Sequence, residues 1–389
     1  MIEQLRRWRH ELHQIPEAGF AEHGTAAYVT SVLDELGVSH VTGVGGTGVV
    51  ATITGRPTGR RVGLRADMDA LTLEETPGRP HGSRHDGHMH ACGHDGHMAM
   101  LLGAAAHLTR ATDLDGTVDL VFQPAEEPGR GAQAMIDDGL FDRFPIASMF
   151  GLHNLPGLPA GDLHTRPGGI MASEDNFTIT ITGQGGHAAR PHMVTDPLVI
   201  AAHVILGLQT IVSRNLDPTL PAVVSCTEIT TDGTRNAIPT EVVITGDTRA
   251  FDPAVQALLE RRIRELATGI CAAHAATAQV TYTHEFAVTH NDPAATDLAV
   301  TAALSTVGTA RVEPSCPPVM PSEDFGVYAQ HVPANFTFIG NGVDPHDGGT
   351  PLHSRDYDFN DAITATGATY LATVARRALA RRDRAGPQT

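Results

Sequence analysis

The stretch Met89 to Met98, MHACGHDGHM, sets one cysteine, three histidines and an aspartate within ten residues at the head of an apolar helical run. Soft and borderline ligands two residues apart, as in the pair Cys92 and His94, can converge on one ion from a strand end or turn. Gly93 between them and Gly96 beyond lower the steric cost of such a turn. His81, His85, His88 and His90 lie just upstream, so the plainer alternative is a solvated histidine-rich loop that takes up metal adventitiously. The rest of the chain decides between the two.

The first third alternates helix and strand. Apolar spacing predicts helices over Ile2–His13, Gly24–Leu36, Asp95–Leu108 and Gly131–Asp138, and short buried strands over Gly48–Thr54, Arg61–Ala66, Thr117–Gln123 and Ala147–Gly151. This is the pattern of an α/β sheet flanked by helices, whose chemistry gathers at the carboxyl ends of the strands. Asp67 and Asp69, Glu126 and Glu127, and His153 follow three of those strands.

From about Asp175 the pattern changes to strand (Asn176–Thr182), helix (from Asp196-Pro197 to about Val212), two strands (Ala222–Ile229, Glu241–Arg249), helix (from Pro253 to about Ala273) and strand (Gln279–Phe286). The order β-α-β-β-α-β is the split-βαβ, ferredoxin-like sandwich. The expected organisation is therefore a first domain over residues 1–173, an inserted domain over 174–285, and a return to the first domain over 286–389. The return is expected to hold a helix at Pro293–Ser305, a strand at Asn335–Ile339 and a closing helix from Ala362 to about Arg381, with a frayed polar tail from Arg382 to Thr389.

Consecutive side chains just past a strand point in different directions. In FQPAEEPGRGA one of Glu126 and Glu127 can therefore bind metal while the other faces a reacting water. His153 follows an apolar strand and His353 lies in TPLHSRDYDFND. Taken singly, each of these is more often an acidic loop or a structural histidine. Together with Cys92 and His94 they supply five ligands, enough for two ions.

Several classes are set aside on composition. A formal charge of −17 argues against a nucleic-acid surface, while the fact that all 27 basic residues are arginine is a compositional bias without mechanistic weight. The four cysteines (Cys92, Cys226, Cys271, Cys316) are far apart and form no C-x-x-C, so neither a disulfide framework nor secretion is expected. No apolar run is expected to approach the length of a membrane span, which makes a soluble cytoplasmic protein the expectation.

Eight motifs in order carry a resemblance that spans nearly the whole chain: RADMDAL at 65, MHACGHDGHM at 89, FQPAEEPGRGA at 122, FGLHNLPGLPAG at 150, GQGGHAARPH at 183, RNAIPTE at 235, SEDFGVY at 322 and PLHS at 351. The chain resembles the M20 metallopeptidase and aminoacylase superfamily. Within it, the chain is similar to the amidohydrolase branch of hippurate hydrolases, auxin-conjugate hydrolases and N-acyl-amino-acid amidohydrolases. The resemblance implies an α/β, mixed-sheet metallohydrolase domain with an inserted ferredoxin-like lid and dimerisation domain, and a homodimer or homotetramer formed through that lid.

It further implies that Cys92, His94, Glu127, His153 and His353 hold two divalent ions, and that Glu126 is the general base. Zinc suits a thiolate and imidazoles, while manganese, cobalt or nickel fit the same set. Asp69 matches an aspartate that orients the site from behind. His187 matches a lid histidine that reaches the partner subunit's active site and stabilises the oxyanion, and Asn236 and Arg249 match lid positions that hold a substrate carboxylate. The wider superfamily carries a ligand histidine where this chain has Asp67, and Cys92 makes up the missing ligand; whether it bridges both ions stays open. Two departures, the His- and Gly-rich segment 76–87 and Arg355 after PLHS, bear on acyl and side-chain preference.

The implied reaction is hydrolysis of an N-acyl amino acid to a carboxylic acid and a free amino acid. Within the superfamily the alternatives are a dipeptidase and an N-acetyl-diaminopimelate deacetylase. Outside it they are a thiol hydrolase using Cys92 and a non-enzymatic metal-binding protein.

Overall fold

The structure, a computed structural model, describes residues 1–57 and 59–380. The tail expected to fray, Arg382–Thr389, lies outside the described residues, as does Arg381. The chain forms two compact units, one of residues 1–170, 290–317 and 324–380, the other of residues 171–289 and 318–323. The short segment 318–323 thus joins the second unit although it lies far along the returning part of the chain.

The first unit is built on an eight-stranded mixed sheet. From edge to edge its strands are Ser39–Val44, Gly48–Thr54, Thr117–Gln123, Arg61–Asp67, Met149–Pro156, Ala334–Gly342, Leu163–His164 and Val312–Glu313. The middle is parallel: Arg61–Asp67 pairs with both Thr117–Gln123 and Met149–Pro156, and the latter with Ala334–Gly342. These strands are buried at consecutive positions rather than alternate ones, which is the mark of a sheet covered on both faces. The parallel register brings the carboxyl ends of three strands level, with Asp67 opposite Gln123 and His153 opposite Phe338.

A helix at His94–Leu108 is buried at every residue except His107. A helix apolar all round must be central, and this one packs between the helices Ile2–His13 and Thr364–Ala380. Its N-terminus is therefore fixed in depth and direction, and that end carries His94. The expected strand Ala147–Gly151 is longer than read, Met149–Pro156. His153 and Asn154 sit inside it, because pairing with Ala334–Gly342 continues past the apolar run.

The second unit has the expected order β-α-β-β-α-β. Its antiparallel sheet runs Ala222–Thr231, Glu241–Ala250, Glu174–Thr182, Thr277–Phe286. Phe177, Ile179, Ile181, Val242 and Ile244 alternate into a core closed by Ile200, Val204 and Leu208 of one helix and Leu259 and Ile263 of the other. Both helices start with proline behind an aspartate cap. Asp196 accepts from Leu198 N–H at 2.9 Å, and Asp252 from Ala254 N–H at 2.7 Å.

One sequence expectation needs correction. Pro197–Asn215 is 19 residues long and holds an 18-residue window of mean hydropathy 1.5, enough by length and composition to cross a membrane. Here it is a helix of the small unit: Ile200, Ala201, Val204 and Leu208 enter the core, while Leu198, Val199 and Leu206 remain on the outer surface.

Candidate metal centre

The turn that begins the long helix sets the site. Gly93 caps the helix in the left-handed conformation at φ +92°. A Cβ there would lie 2.4 Å from Asn154 Oδ1 and 2.6 Å from Tyr357 Oη, so only glycine lets Cys92 and His94 turn inward on either side of it. His94 directs its Nδ1–H to the backbone carbonyl of Asp69 at 2.8 Å, which points Nε2 into the site. His153 is held in the same manner by the carbonyl of Asn154 at 2.6 Å, and its Nε2 faces Cys92 Sγ at 3.6 Å. Anchoring one ring nitrogen so that the other is presented to a metal is how ligand histidines are oriented.

The two glutamates leave a strained turn. Ala125 has φ +48°, outside the usual range for alanine, and its N–H donates to the buried carboxylate of Glu22 at 2.8 Å. The next two amides, of Glu126 and Glu127, donate to the two oxygens of Asp69 at 3.0 Å each. One buried carboxylate thus fixes the backbone of both glutamates. Their side chains come within 3.9 Å of His94 Nε2. His353, also at positive φ (+61°), is tied through its N–H to the carbonyl of Ala91 at 2.9 Å. Its Nε2 lies 3.7 Å from Glu127.

The structure therefore brings Cys92, His94, Glu126, Glu127, His153 and His353 together, with Asp69 behind them. It adds a layer that sequence reasoning did not assign. Asp67 comes within 3.6 Å of His94 Nε2 and accepts from Arg65 at 2.8 Å. His97, one turn beyond His94, lies 2.6 Å from Asp67 through Nδ1 and 2.6 Å from Asn154 Oδ1 through Nε2. With both nitrogens engaged, His97 buttresses Asp67 and Asn154. Arg65 also donates to Gln123 at 2.8 Å and to Asp324 at 3.1 Å. The i, i+3 spacing of His94 and His97 is the one local signal for this layer; Asp324 lies 259 residues from Arg65 and left none.

The residues fit a bound cation. His94 Nε2 is buried with no hydrogen-bond partner among the described residues. It faces Asp67, Glu126 and Glu127 beyond hydrogen-bond distance. A buried polar atom so placed is costly unless something fills the gap. Zinc with bonds of about 2.3 Å to sulfur and about 2.1 Å to nitrogen, at a tetrahedral angle, would hold the two atoms about 3.6 Å apart. That matches the observed separation of Cys92 Sγ and His153 Nε2.

The electrostatics agree. Burial opposes ionisation of Asp67, but His94, His97 and Arg65 outweigh it and hold its carboxyl well below the usual range. Burial, with the neighbouring His97, keeps the His153 imidazole neutral and ready to ligate. Burial and the nearby Glu127 and Glu126 push the Cys92 thiol well up, so a thiolate there needs a cation to stabilise it. Iodoacetamide labelling of Cys92 is accordingly expected to be slow with zinc bound and faster after chelation, read by peptide mass spectrometry. Equal labelling rates would remove Cys92 from the ligand set.

The sequence profile of Peptidase family M20/M25/M40 matches residues 63–377. The chain belongs to that family. Among its M20 relatives, the hippurate hydrolase of Campylobacter jejuni is 38% identical over 376 residues, covering 97% of this chain and 97% of that enzyme. The N-acetyl-L-cysteine deacetylase of Bacillus subtilis is 38% identical over 377 residues, 97% of this chain and 88% of its own length. Among solved structures, the YXEP protein of Bacillus subtilis, a dinuclear metal-binding peptidase of the M20 family, superposes with a TM-score of 0.85 at 30% identity, covering 97% of this chain and 98% of that one. The M20 assignment makes the chain a hydrolase, with its candidate ligands in the first unit.

The remaining predicted site residues lie in the second unit. Gly186–His187 pairs with Ala237–Ile238 in a short ribbon, with His187 opposite Ala237, and Ala188 N–H donates to the carbonyl of Asn236 at 3.1 Å. His187 and Asn236 are thus neighbours, and both are exposed. Arg249 pairs with Glu174 at 2.8 Å and Asp247 at 3.1 Å, and donates to Ser322 Oγ at 2.7 Å. The ribbon prolongs the pairing of Thr182 with Glu241 outward, and eight residues of extended chain separate Glu241 from Arg249 by about 26 Å, so Asn236 and Arg249 stand off opposite ends of that strand.

Proposed function

We propose that this protein is a metal-dependent amidohydrolase that cleaves N-acyl amino acids into a carboxylic acid and a free amino acid. The observation that carries the reading is the Asp69 clamp, which sets two successive carboxylates against the partnerless nitrogen of a buried histidine. Cys92, His94, Glu127, His153 and His353 would hold two divalent ions, zinc best matching the donor set, with manganese, cobalt or nickel as alternatives. Such ions, when bound, polarise a carbonyl and make water acidic enough to attack at neutral pH.

The chain's own residues do the rest. Glu126 Oε takes the proton of the attacking water and passes it to the leaving nitrogen. His187 donates to the developing oxyanion, a contribution of about 3 kcal/mol for one well-placed donor. Arg249 receives the substrate carboxylate on its planar fork, in competition with Glu174 and Asp247. Asn236 joins Arg249 in holding the carboxylate, and His187 acts across the subunit interface on the partner's site.

Assembly as a homodimer or homotetramer through the second unit follows from that role of His187. The outward Val199 and Leu206, 55% and 68% exposed, and the edge position of Ala222–Thr231 support the same face. Mixing inactive Glu126→Gln subunits with inactive His187→Ala subunits is expected to restore activity, since each heterodimer holds one intact site. Verified heterodimers without activity would confine His187 to its own subunit or remove it from the reaction.

A panel of N-acyl amino acids, dipeptides and N-acetyl-diaminopimelate, assayed with metal-depleted and reconstituted protein, tests the function. Metal-dependent release from the N-acyl amino acids is the expected result; preference for a dipeptide or for N-acetyl-diaminopimelate would move the protein to another branch. Replacing the substrate's free carboxylate by an amide should cost about 2 kcal/mol in kcat/KM. Arg249→Ala should slow the acid substrate strongly and the amide little. Equal slowing of both would take carboxylate recognition away from Arg249. A thiol-nucleophile mechanism fits poorly with a Cys92 whose thiol is pushed up by burial and two glutamates.

A further inference from the structure

A second buried charged network lies beside the ligand helix, and the reaction described above does not use it. His13, on the N-terminal helix, is fully buried. Its Nδ1 lies 2.8 Å from Asp95 Oδ2 and its Nε2 3.3 Å from Glu75 Oε1. Asp95 is the residue after His94, in the first turn of the central helix, and is itself fully buried. Glu75 anchors the histidine- and glycine-rich loop 74–88: it accepts from Arg79 at 2.8 Å and from the N–H of Ser83 at 2.6 Å.

The same loop reaches the stretch that follows His353. Thr76 N–H donates to the carbonyl of Arg355, Arg355 Nε donates to the carbonyl of Glu74, and His81 Nε2 lies 3.2 Å from Asp358. Asp358 in turn pairs with the buried Arg9 at 2.9 Å. Loop 74–88 is thereby stitched to the segments that carry two candidate ligands, and to the first of them directly through His13 and less directly through Arg9, whose guanidinium joins Asp358 to Asp95 at 3.7 Å.

We infer that His13 is a positioning residue that couples the order of loop 74–88 to the helix bearing His94, so that occupation of the metal centre and closure of this loop reinforce one another. The chemistry is specific to a doubly protonated imidazole. Bridging two carboxylates takes two N–H donors at fixed angles, which imidazolium supplies and neutral imidazole does not. Burial by itself would favour the neutral ring, but Asp95 and the hydrogen bonds to Asp95 and Glu75 push the His13 pKa up to about 9. Removing the imidazolium would leave Asp95 to Arg9, 3.7 Å away, and Glu75 to Arg79, with no group joining the two carboxylates, so the loop would be released from the helix.

The inference rests on His94 being a ligand, and hydrogen exchange with zinc titration separates its failure from the failure of that reading. In wild type, zinc is expected to slow exchange at Ser83 and Arg84. In His13→Gln, which keeps one donor and loses the charge, exchange at these amides should be about tenfold faster. Zinc should no longer change it, while amides of the helix Thr364–Ala380 stay protected. Zinc release to a chelator should be at least about tenfold faster, the lower end for an outer-shell partner.

Glu75→Gln removes the other half of the bridge. It should give the same changes, and the double variant should add little to either single one. Wild-type loop exchange in both single variants, or fully additive effects, would overturn the coupling. If His13→Gln does not fold, Glu75→Gln alone decides, and unchanged exchange and zinc release in it reject the inference. If His94→Ala binds zinc as wild type does, the metal reading itself fails, and the loop's zinc-independent exchange still tells whether His13 holds it.

Discussion

Glu126→Gln is expected to keep its full metal content and to lose at least about a hundredfold in kcat, the lower end of what a positioned acid–base group supplies. Glu127→Gln is expected to lose metal as well as activity. The two residues are adjacent and chemically identical, so the contrast is a demanding one. It rests on their shared clamp: both backbone amides end on Asp69, so neither substitution frees the turn. Glu127 lies 3.7 Å from a second candidate ligand, His353, and groups with Cys92 and His94 within 4.8 Å. Metal analysis beside single-turnover kinetics settles it. Equal metal content and equal residual activity in the two variants would show that base and ligand have been assigned wrongly.

Gly93→Ala should be the most damaging single methyl in the site. Left-handed backbone at a non-glycine residue costs about 1–2 kcal/mol, and forcing extra volume into a packed interior costs about 1–3 kcal/mol more. Here the methyl meets Asn154 Oδ1 and Tyr357 Oη, and Asn154 Nδ2 donates to that same Oη at 2.6 Å. The same Asn154 abuts His97, and its backbone carbonyl orients His153. A total loss of about 3 kcal/mol or more is therefore expected, with metal affinity falling on the order of tenfold to a hundredfold. Gly87→Ala is the control, since Gly87 has φ +72° but open space around its missing Cβ. Urea unfolding of the two variants in the presence of chelator compares them directly. If Gly93→Ala is no less stable than Gly87→Ala, close packing around the turn is not what demands glycine there.

What was legible in advance follows from where each signal resides. The helices Ile2–His13 and Pro253–Ala273 match their readings because apolar spacing, and for the second a capped proline start, are local properties. Cys92, His94 and the paired glutamates could be found for the same reason: each sits beside a strand end or helix start visible in a short window. The edge strand Ser39–Val44 was missed because it is short and largely exposed, with no apolar alternation to mark it. The two-residue strands at Leu163 and Val312 exist only through their partners.

The apolar length of Pro197–Asn215 is masked in the sequence by its capped proline start, which is that of an ordinary helix, and by the polar residues His203, Gln209 and Arg214 that interrupt it. Most hidden of all were the supports. Arg65, Gln123 and Asp324 meet through pairings 58 to 259 residues apart in sequence, and no window of the chain contains them. Nor could spacing tell that Asn236 and Arg249 diverge, since a strand counts residues without revealing which way its ends lead.

The order of strands in the large sheet has a consequence for how the protein is made. Ala334–Gly342 pairs with Met149–Pro156, yet at the usual 5–20 residues per second the ribosome delivers it roughly 10–40 s later. Throughout that interval the nascent chain holds out an unpaired edge bearing Phe150 and Leu152, the kind of edge on which neighbouring chains associate. Residues 171–289, contiguous and with a core of their own, can close while the larger sheet waits. Soluble yield should therefore respond to chaperone supply and to translation speed between those two strands more than to the stability of the finished molecule.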